Sequence, residues 1–238
     1  MKFYGKIMVK NHFFGENMKI IAKIYTEFDE KFGIPRQSGI VSETVGRIVF
    51  EPEYRNPEAF RGIDGYSHLW LIWQFSEAVR DVWSPTVRPP RLGGNKRMGV
   101  FATRSPYRPN PIGLSSVRLV GVEYTEAEGT VLIVGGADLL SGTPIYDIKP
   151  YLAYTDSHPE AKGGFADEVI DYKIEVEFND DVTKELSASE RKKLEKILEQ
   201  DPRPSYKAED ERSYGMKFEG KEITFKYENG KLLVTNIE

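Results

Sequence analysis

Cysteine is absent from this chain of 238 residues, and histidine occurs only as His12, His68 and His158. Without cysteine the chain has no disulfide, thiolate nucleophile, iron–sulfur cluster or cysteine-ligated zinc. The three histidines show no spacing typical of a metal site, so we predict that the protein holds no metal. The motifs G-x-G-x-x-G, G-x-x-x-x-G-K-S/T and G-x-S-x-G are also missing. Their absence excludes the common dinucleotide, P-loop and serine-hydrolase sites.

Long hydrophobic runs are missing as well. No window approaches about 18 consecutive apolar residues, and no charged leader followed by apolar and small residues opens the chain. We therefore expect a cytoplasmic protein without a membrane span. Apolar residues still make up 39% of the chain, which is enough to build a folded core.

Acidic residues are absent from one segment, residues 82–122, which carries six arginines and one lysine. Because the net charge of the chain is −4, the rest of the protein is strongly acidic. A basic segment on an acidic protein attracts an anion to one place, and arginine suits bidentate contacts with phosphate or carboxylate. The seven cations are Arg88, Arg91, Lys96, Arg97, Arg104, Arg108 and Arg118.

The same segment holds six of the 14 prolines, so we predict rigid irregular loops rather than helix or sheet. Long rigid loops in compact domains are usually functional. The alternative is a solvated loop whose arginines pair with acidic residues elsewhere in the chain.

Six β-rich runs, separated by glycine, proline and asparagine, dominate the first two thirds of the chain. They cover residues 20–25, 44–50, 67–75, 98–103, 114–124 and 130–137. No amphipathic helix of ten or more residues separates them, which disfavours a doubly wound parallel sheet. We predict a mostly β protein with an antiparallel β-barrel domain at residues 18–164, after an extension at residues 1–17.

The remaining residues, 165–238, are predicted to form a small α+β C-terminal domain. A half-buried strand is expected at residues 169–178, because apolar and charged residues alternate there. Ser187 and Glu190 form a capping box that opens a helix reaching about residue 200. Three strands follow near residues 214–219, 222–228 and 231–237, the last two joined by a type I′ turn at Asn229-Gly230.

Five motifs are dense in special residues: PRQSG at 35–39, RPPRLGGN at 88–95, GVFATRSPYRPNPIG at 99–113, DLLSGTPIYDIKPY at 138–151 and QDPRPSY at 200–206. Together they resemble the TrmO (TsaA-like) family. Its members are S-adenosylmethionine-dependent tRNA methyltransferases that act on N6 of threonylcarbamoyl-adenosine at position 37. The longest motif is the most specific. The resemblance runs from about residue 20 to the C-terminus.

The resemblance implies a small β-barrel catalytic domain, a homodimer, S-adenosylmethionine as methyl donor near the dimer interface, and the tRNA anticodon loop as partner. Methyl transfer from an already activated sulfonium requires mainly alignment of donor carbon and acceptor nitrogen. It needs neither a metal nor a cysteine nucleophile.

The resemblance also implies donor-binding residues. Arg104 would pair with the donor carboxylate or with RNA phosphate. Asp138 would bind ribose hydroxyls or the donor ammonium, or would act as the catalytic general base. The full set of donor-binding residues is Gln37, Ser38, Gly39, Phe75, Ser76, Arg104, Leu114, Gly135, Gly136, Ala137 and Asp138.

RNA contacts are predicted mostly in the basic segment. Tyr107, Tyr146 and Tyr151 are aromatic candidates for stacking on an everted base. Arg203, beside Asp201, is placed at a turn where the C-terminal domain could complete the partner subunit's site. The predicted RNA-binding residues are Arg88, Arg91, Lys96, Arg97, Arg108, Asn110, Tyr146 and Arg203.

Two other functions stay open from the sequence. One is a non-catalytic RNA-binding module that retains the basic loop. The other is a methyltransferase with the same donor site and a small-molecule acceptor. In the leading interpretation, removal of the C-terminal domain is expected to weaken RNA use more than donor binding.

Overall fold

The computed structural model describes residues 18–79, 82–92, 96–203 and 212–238, so the predicted extension at 1–17 lies outside the described residues. Within those ranges no helix is long and apolar enough to cross a membrane. The strands are β1 (Ala22–Thr26), β2 (Val45–Phe50), β3 (His68–Gln74), β4 (Thr86–Val87), β5 (Met98–Gly99), β6 (Ile112–Thr125), β7 (Gly129–Gly135), β8 (Thr143–Pro150), β9 (Glu175–Phe178), β10 (Ser213–Phe218), β11 (Lys221–Glu228) and β12 (Lys231–Ile237). The α-helices are α1 (Ala153–Asp156) and α2 (Ala188–Leu198).

Six strands form a closed barrel in the order β1-β2-β7-β6-β3-β8, and every neighbouring pair is antiparallel. The predicted antiparallel barrel is therefore confirmed. In β3 buried and half-buried side chains alternate, as expected for a strand with one face toward the core. The barrel core is mainly aliphatic and is filled by residues such as Ile24, Ile48, Leu69, Leu71, Leu132 and Ile145, all fully buried.

The strand β8 was not predicted from the sequence. Its residues TPIYDIKP carry two prolines and two charges, which usually mark turns. Pro144 lies at the second position of the strand and Pro150 at its end, where a missing backbone donor is tolerated best. Pairing with β1 on one side and β3 on the other supplies the β structure that local sequence does not indicate.

The predicted strand at 98–103 is mostly wrong, because only Met98–Gly99 is extended and Val100–Ala102 forms a 3-10 turn. The predicted strand at 169–178 is wrong in its first half for a related reason. A 3-10 turn covers Gly164–Val169, and Ile170 is 72% exposed instead of facing a core.

The C-terminal sheet has the strand order β10-β11-β12-β9, with β9 parallel to β12. Helix α2 begins with the predicted capping box: Ser187 Oγ accepts from the Glu190 N–H, and Glu190 accepts from the Ser187 N–H. Asn229 and Gly230 both have positive φ, as a type I′ turn requires.

The loop between β1 and β2 joins the two parts of the protein. Phe28 and Val41, each 1% exposed, belong to the core under the C-terminal sheet rather than to the barrel core. The Phe32 ring lies 6.2 Å from the rings of Tyr214 and Phe225. The C-terminal sheet therefore holds the segment that carries the PRQSG motif.

Candidate functional site

Asp138 lies just after β7, at the end of the barrel where several predicted residues meet. Its carboxylate Oδ1 accepts a hydrogen bond of 2.6 Å from Ser115 Oγ on β6. The Trp73 Nε1–H donates to the same Ser115 oxygen over 3.0 Å. The backbone N–H of Ser38 also donates to Asp138, and Arg104 is close enough to interact with it by charge. A barrel end thus holds one carboxylate in a fixed hydrogen-bond network.

Burial raises the pKa of the Asp138 carboxyl above its ordinary value. Hydrogen bonds from Ser115 and from backbone N–H groups, together with the charge of Arg104, lower the pKa and offset part of the rise. A carboxylate with a raised pKa is a better proton acceptor at neutral pH than an ordinary aspartate. The environment of Asp138 therefore suits a general base.

The raised pKa predicts a pH-dependent contribution of Asp138 to stability. Because the folded protein binds this proton more tightly than the unfolded chain, the free energy of unfolding of the wild type should fall, relative to Asp138→Asn, as pH rises from about 4 through the folded pKa. Denaturant unfolding of both proteins across that range measures the difference. If the free energy of unfolding of the wild type instead rises relative to that of Asp138→Asn as pH increases, the assigned environment is contradicted.

The PRQSG loop packs directly against the segment around Asp138. The Gln37 side-chain oxygen accepts a hydrogen bond from the Arg104 guanidinium, and the Gly39 N–H donates to the Gly136 carbonyl over 2.8 Å. Gly136 has a φ of +76°, and a Cβ there would lie 3.2 Å from the Gly39 backbone. Glycine at position 136 therefore permits this close approach.

Two aromatic side chains lie close to Ser115, the hydrogen-bond partner of Asp138. The rings of Trp73 and Phe75 are 4.2 Å apart, and a Cβ on Gly113 would fall 2.2 Å from the Trp73 ring. Sequence reasoning selected Phe75 and missed Trp73, Ser115 and Gly113. The available signal was Ser115, a serine between the apolar inward-facing residues Gly113 and Val117, because a buried hydroxyl needs a hydrogen-bond partner.

Two of the predicted donor-binding positions, Leu114 and Gly135, are directed away from the side of the strands on which Asp138 lies. Leu114 is 57% exposed and alternates with the buried Ser115, so it lies on the outer face of β6. At Gly135 a Cβ would approach the Arg118 guanidinium at 3.0 Å. The structure does not bring Leu114 to Asp138, whereas Ala137 lies between Gly136 and Asp138 and is buried. Ser76 begins an exposed 3-10 turn directly after Phe75.

The predicted RNA-binding residues of the basic segment are placed mainly at the surface. Arg88, Lys96, Arg97 and Asn110 are exposed, and the side chain of Arg91 lies outside the described residues. Arg108 differs from them, because its Nη1 donates to the Thr103 carbonyl over 2.9 Å and braces the loop.

The prediction that Arg203 contacts RNA does not fit the structure. Arg203 is 2% exposed, and its guanidinium donates to both carboxylate oxygens of Asp201 at 2.8 and 2.9 Å. The Arg203 guanidinium also stacks over the Tyr227 ring at 4.2 Å. On the same turn, Arg36 donates to the Asp201 carbonyl over 3.1 Å. Arg203 thus stabilises the turn that contacts the PRQSG loop.

The tyrosines proposed to stack on a base lie in different environments. Tyr151 packs on Trp70, with ring centroids 5.4 Å apart, and therefore has a packing role. Tyr146 is half-buried on β8, and burial raises its pKa. Tyr107 is 41% exposed on the basic segment.

The chain resembles known proteins over nearly its whole length. Residues 23–157 match the family described as tRNA-methyltransferase O N-terminal domain, and residues 171–238 match the TrmO C-terminal domain. A tRNA (adenine(37)-N6)-methyltransferase of Escherichia coli strain K12 is 42% identical over 197 residues, which are 80% of this chain and 83% of that protein.

Two further comparisons extend over more of the chain. A putative S-adenosylmethionine-dependent methyltransferase of Pseudomonas aeruginosa, RcsF, is 39% identical over 90% of this chain and 93% of its own length. The crystal structure of TrmO from Pseudomonas aeruginosa superposes with a TM-score of 0.72 at 32% identity, covering 94% of this chain and 99% of that one. By sequence along both of its parts and by its fold, this chain belongs to the tRNA-methyltransferase O family.

Proposed function

We propose that this protein transfers a methyl group from S-adenosylmethionine to N6 of threonylcarbamoyl-adenosine at position 37 of tRNA. One observation carries the proposal: Asp138, Arg104 and Gln37 come together from three separate segments, and the one that carries Arg104 is the acid-free basic segment. The names of the relatives, which include tRNA (adenine(37)-N6)-methyltransferases, support methylation at N6 of adenine 37.

The residues at the site fit the chemistry of the donor. S-adenosylmethionine carries an ammonium and a carboxylate, and the site offers the Asp138 carboxylate and the exposed Arg104 guanidinium. The rings of Trp73 and Phe75 supply an apolar surface for a nucleobase. We assign donor binding to Gln37, Ser38, Gly39, Phe75, Arg104, Gly136, Ala137 and Asp138.

When bound, the donor supplies an activated methyl group, so the chain must orient the acceptor nitrogen and remove its proton. We propose proton removal as the alternative role of Asp138 to binding the donor ammonium, because its raised pKa favours proton acceptance and Ser115 fixes the direction of its carboxylate. Arg104 is held by Gln37, and its guanidinium has further N–H groups besides the one in this hydrogen bond. These residues would position the donor and the acceptor and would deprotonate the acceptor nitrogen, without a protein nucleophile.

The acceptor RNA is proposed to lie along the basic segment. Arg88, Lys96 and Arg97 are exposed there, and none of them forms an ion pair with another described residue. Their charges are therefore available to phosphates of the anticodon loop. Steep loss of RNA affinity with rising salt is expected, and a weak salt dependence would instead favour a small-molecule acceptor.

A homodimer is part of the proposal, as is a cytoplasmic location. The outer face of the barrel exposes apolar side chains on two strands that flank β7, including Val45 on β2 and Leu114, Val120 and Val122 on β6. Exposed apolar groups that cluster in this way are typical of protein interfaces. Sedimentation velocity of the purified chain tests the dimer, and a monomer at micromolar concentration would contradict it.

Incubation with labelled S-adenosylmethionine and tRNA tests the reaction. We expect one methyl group at N6 of threonylcarbamoyl-adenosine 37 and none on the same tRNA with unmodified adenine at that position. Donor binding without methyl transfer to this tRNA would overturn the proposed acceptor. Absence of donor binding by calorimetry would favour a non-catalytic RNA-binding module.

A further inference from the structure

Two large aromatic side chains of the basic segment are exposed next to each other. Trp83 is 48% exposed and Phe101 is 74% exposed, and their ring centroids lie 6.1 Å apart with a tilt of 32°. They are brought together by the short hairpin of β4 and β5, in which Thr86 pairs with Gly99. The Val100 N–H extends this pairing by donating to the Pro85 carbonyl over 2.9 Å. The rings are therefore fixed by backbone pairing and yet remain in solvent.

The same hairpin concentrates positive charge. Arg88 directly follows Val87, and Arg97 directly precedes Met98, its paired residue. Like charges near opposite positions of an antiparallel pair are unfavourable. Among the described residues, no carboxylate pairs with Arg88, Lys96 or Arg97. An anion that binds here would relieve this repulsion.

Exposed aromatic rings beside unpaired cations are the combination that binds single-stranded nucleic acid. Stacking on a ring is available to every base once it is unpaired, and the cations contact the phosphates. We propose that Trp83 and Phe101 form a stacking platform for unpaired bases of the RNA loop. The proposal rests on the proposed function, in which the acceptor is an RNA, and it adds the residues that recognise the single-stranded loop.

The occupant is an RNA loop rather than a second copy of the chain. The protein outside residues 82–122 is acidic, but the hairpin carries three exposed cations, at the end of its ladder opposite to the rings. A flexible polyanion with exposed bases satisfies both features at once. An apolar partner surface would leave the cations without counter-charges.

The variants Trp83→Leu and Phe101→Leu test the platform, because leucine keeps an apolar side chain and removes the aromatic face. The probe is a fluorescently labelled anticodon stem-loop, measured by anisotropy at fixed salt. Loss of one base stack should weaken binding by about 5- to 100-fold. A fully paired RNA of the same length should bind each variant as it binds the wild type. Tyr124→Leu is the control, because Tyr124 is 71% exposed near the C-terminal end of β6 and lies outside the basic segment.

Three outcomes would overturn the platform. Unchanged stem-loop affinity in both variants would show that no base stacks there. Weaker donor affinity with unchanged RNA affinity, measured by calorimetry, would assign the rings to the donor pocket. A change of oligomeric state would assign them to a subunit interface. If the wild type binds the stem-loop but transfers no methyl group, the proposed reaction fails while the platform is still judged by binding.

Discussion

Arg104→Ala is expected to reduce kcat/KM by about 100-fold or more, which corresponds to about 3 kcal/mol. The physical reason is that Arg104 supplies a cation that interacts with Asp138 and is oriented by Gln37. Charge-assisted contacts of arginine with a carboxylate or phosphate are strong and directional, so a water molecule cannot replace them. Steady-state methyl transfer with varied donor and varied tRNA measures the effect and shows which substrate depends on the guanidinium.

Stability should change little in the same variant. Arg104 is exposed and lies on a loop, and surface substitutions usually alter the free energy of unfolding by about 0.5 kcal/mol or less. Arg61→Ala is a matched control, because the Arg61 side chain is 77% exposed and pairs only with the nearby Glu58 among the salt bridges of the described residues. Full turnover by Arg104→Ala would remove this residue from the site.

Arg203→Ala should destabilise the protein by about 3–5 kcal/mol and should also weaken donor binding. The loss of stability follows because Asp201 is only 8% exposed and would lose its guanidinium partner. The loss of donor binding follows because the same turn contacts Arg36, the neighbour of Gln37. Denaturant unfolding and calorimetric donor titration measure the two effects separately.

Arg36→Ala separates positioning from stability in this network. The Arg36 side chain is half-buried and donates to a backbone carbonyl of the turn, and the loss of this hydrogen bond should cost about 1 kcal/mol of stability. Donor affinity should nevertheless fall, whereas affinity for RNA should change less. Unchanged donor affinity in a folded Arg36→Ala protein would mean that the C-terminal part does not position the PRQSG loop.

This network also changes an expectation from the sequence. Removal of the C-terminal domain was expected to affect mainly RNA use. Phe28 and Val41 belong to its core, and Glu27 pairs with the nearly buried Lys193 of α2. Truncation would therefore expose the loop that carries Gln37, so we now expect donor binding to be lost together with RNA use.

The barrel and the C-terminal sheet could be predicted because their strands follow strong local patterns. Each of these patterns depends on residues only a few positions apart in the sequence. They are the alternation of apolar and polar residues, the Ser187 capping box and the Asn229-Gly230 turn. Strand β8 could not be predicted this way, since its extended form depends on pairing with β1 and β3. The division of residues into 18–164 and 165–238 stays a prediction, and the shared core around Phe28 shows how closely the two parts are joined.

The candidate site was predictable where motif density was high and less so where a role depends on which face a side chain occupies. Asp138, Gln37 and Arg104 were selected from the sequence, and the structure brings them together. Leu114 was selected with them, but strand alternation turns it outward. Arg203 looks like an RNA contact in sequence, because its charge is visible there and the burial of its ion pair with Asp201 is not.

The most direct test is a crystal structure of the protein with S-adenosylhomocysteine and an anticodon stem-loop. We predict that the ligand's sulfur lies in the space bordered by Arg104, Asp138 and Phe75, with the adenine of position 37 facing it and the RNA backbone along Arg88 and Arg97. A ligand bound away from Asp138, or RNA seated on a face that excludes residues 82–122, would contradict it.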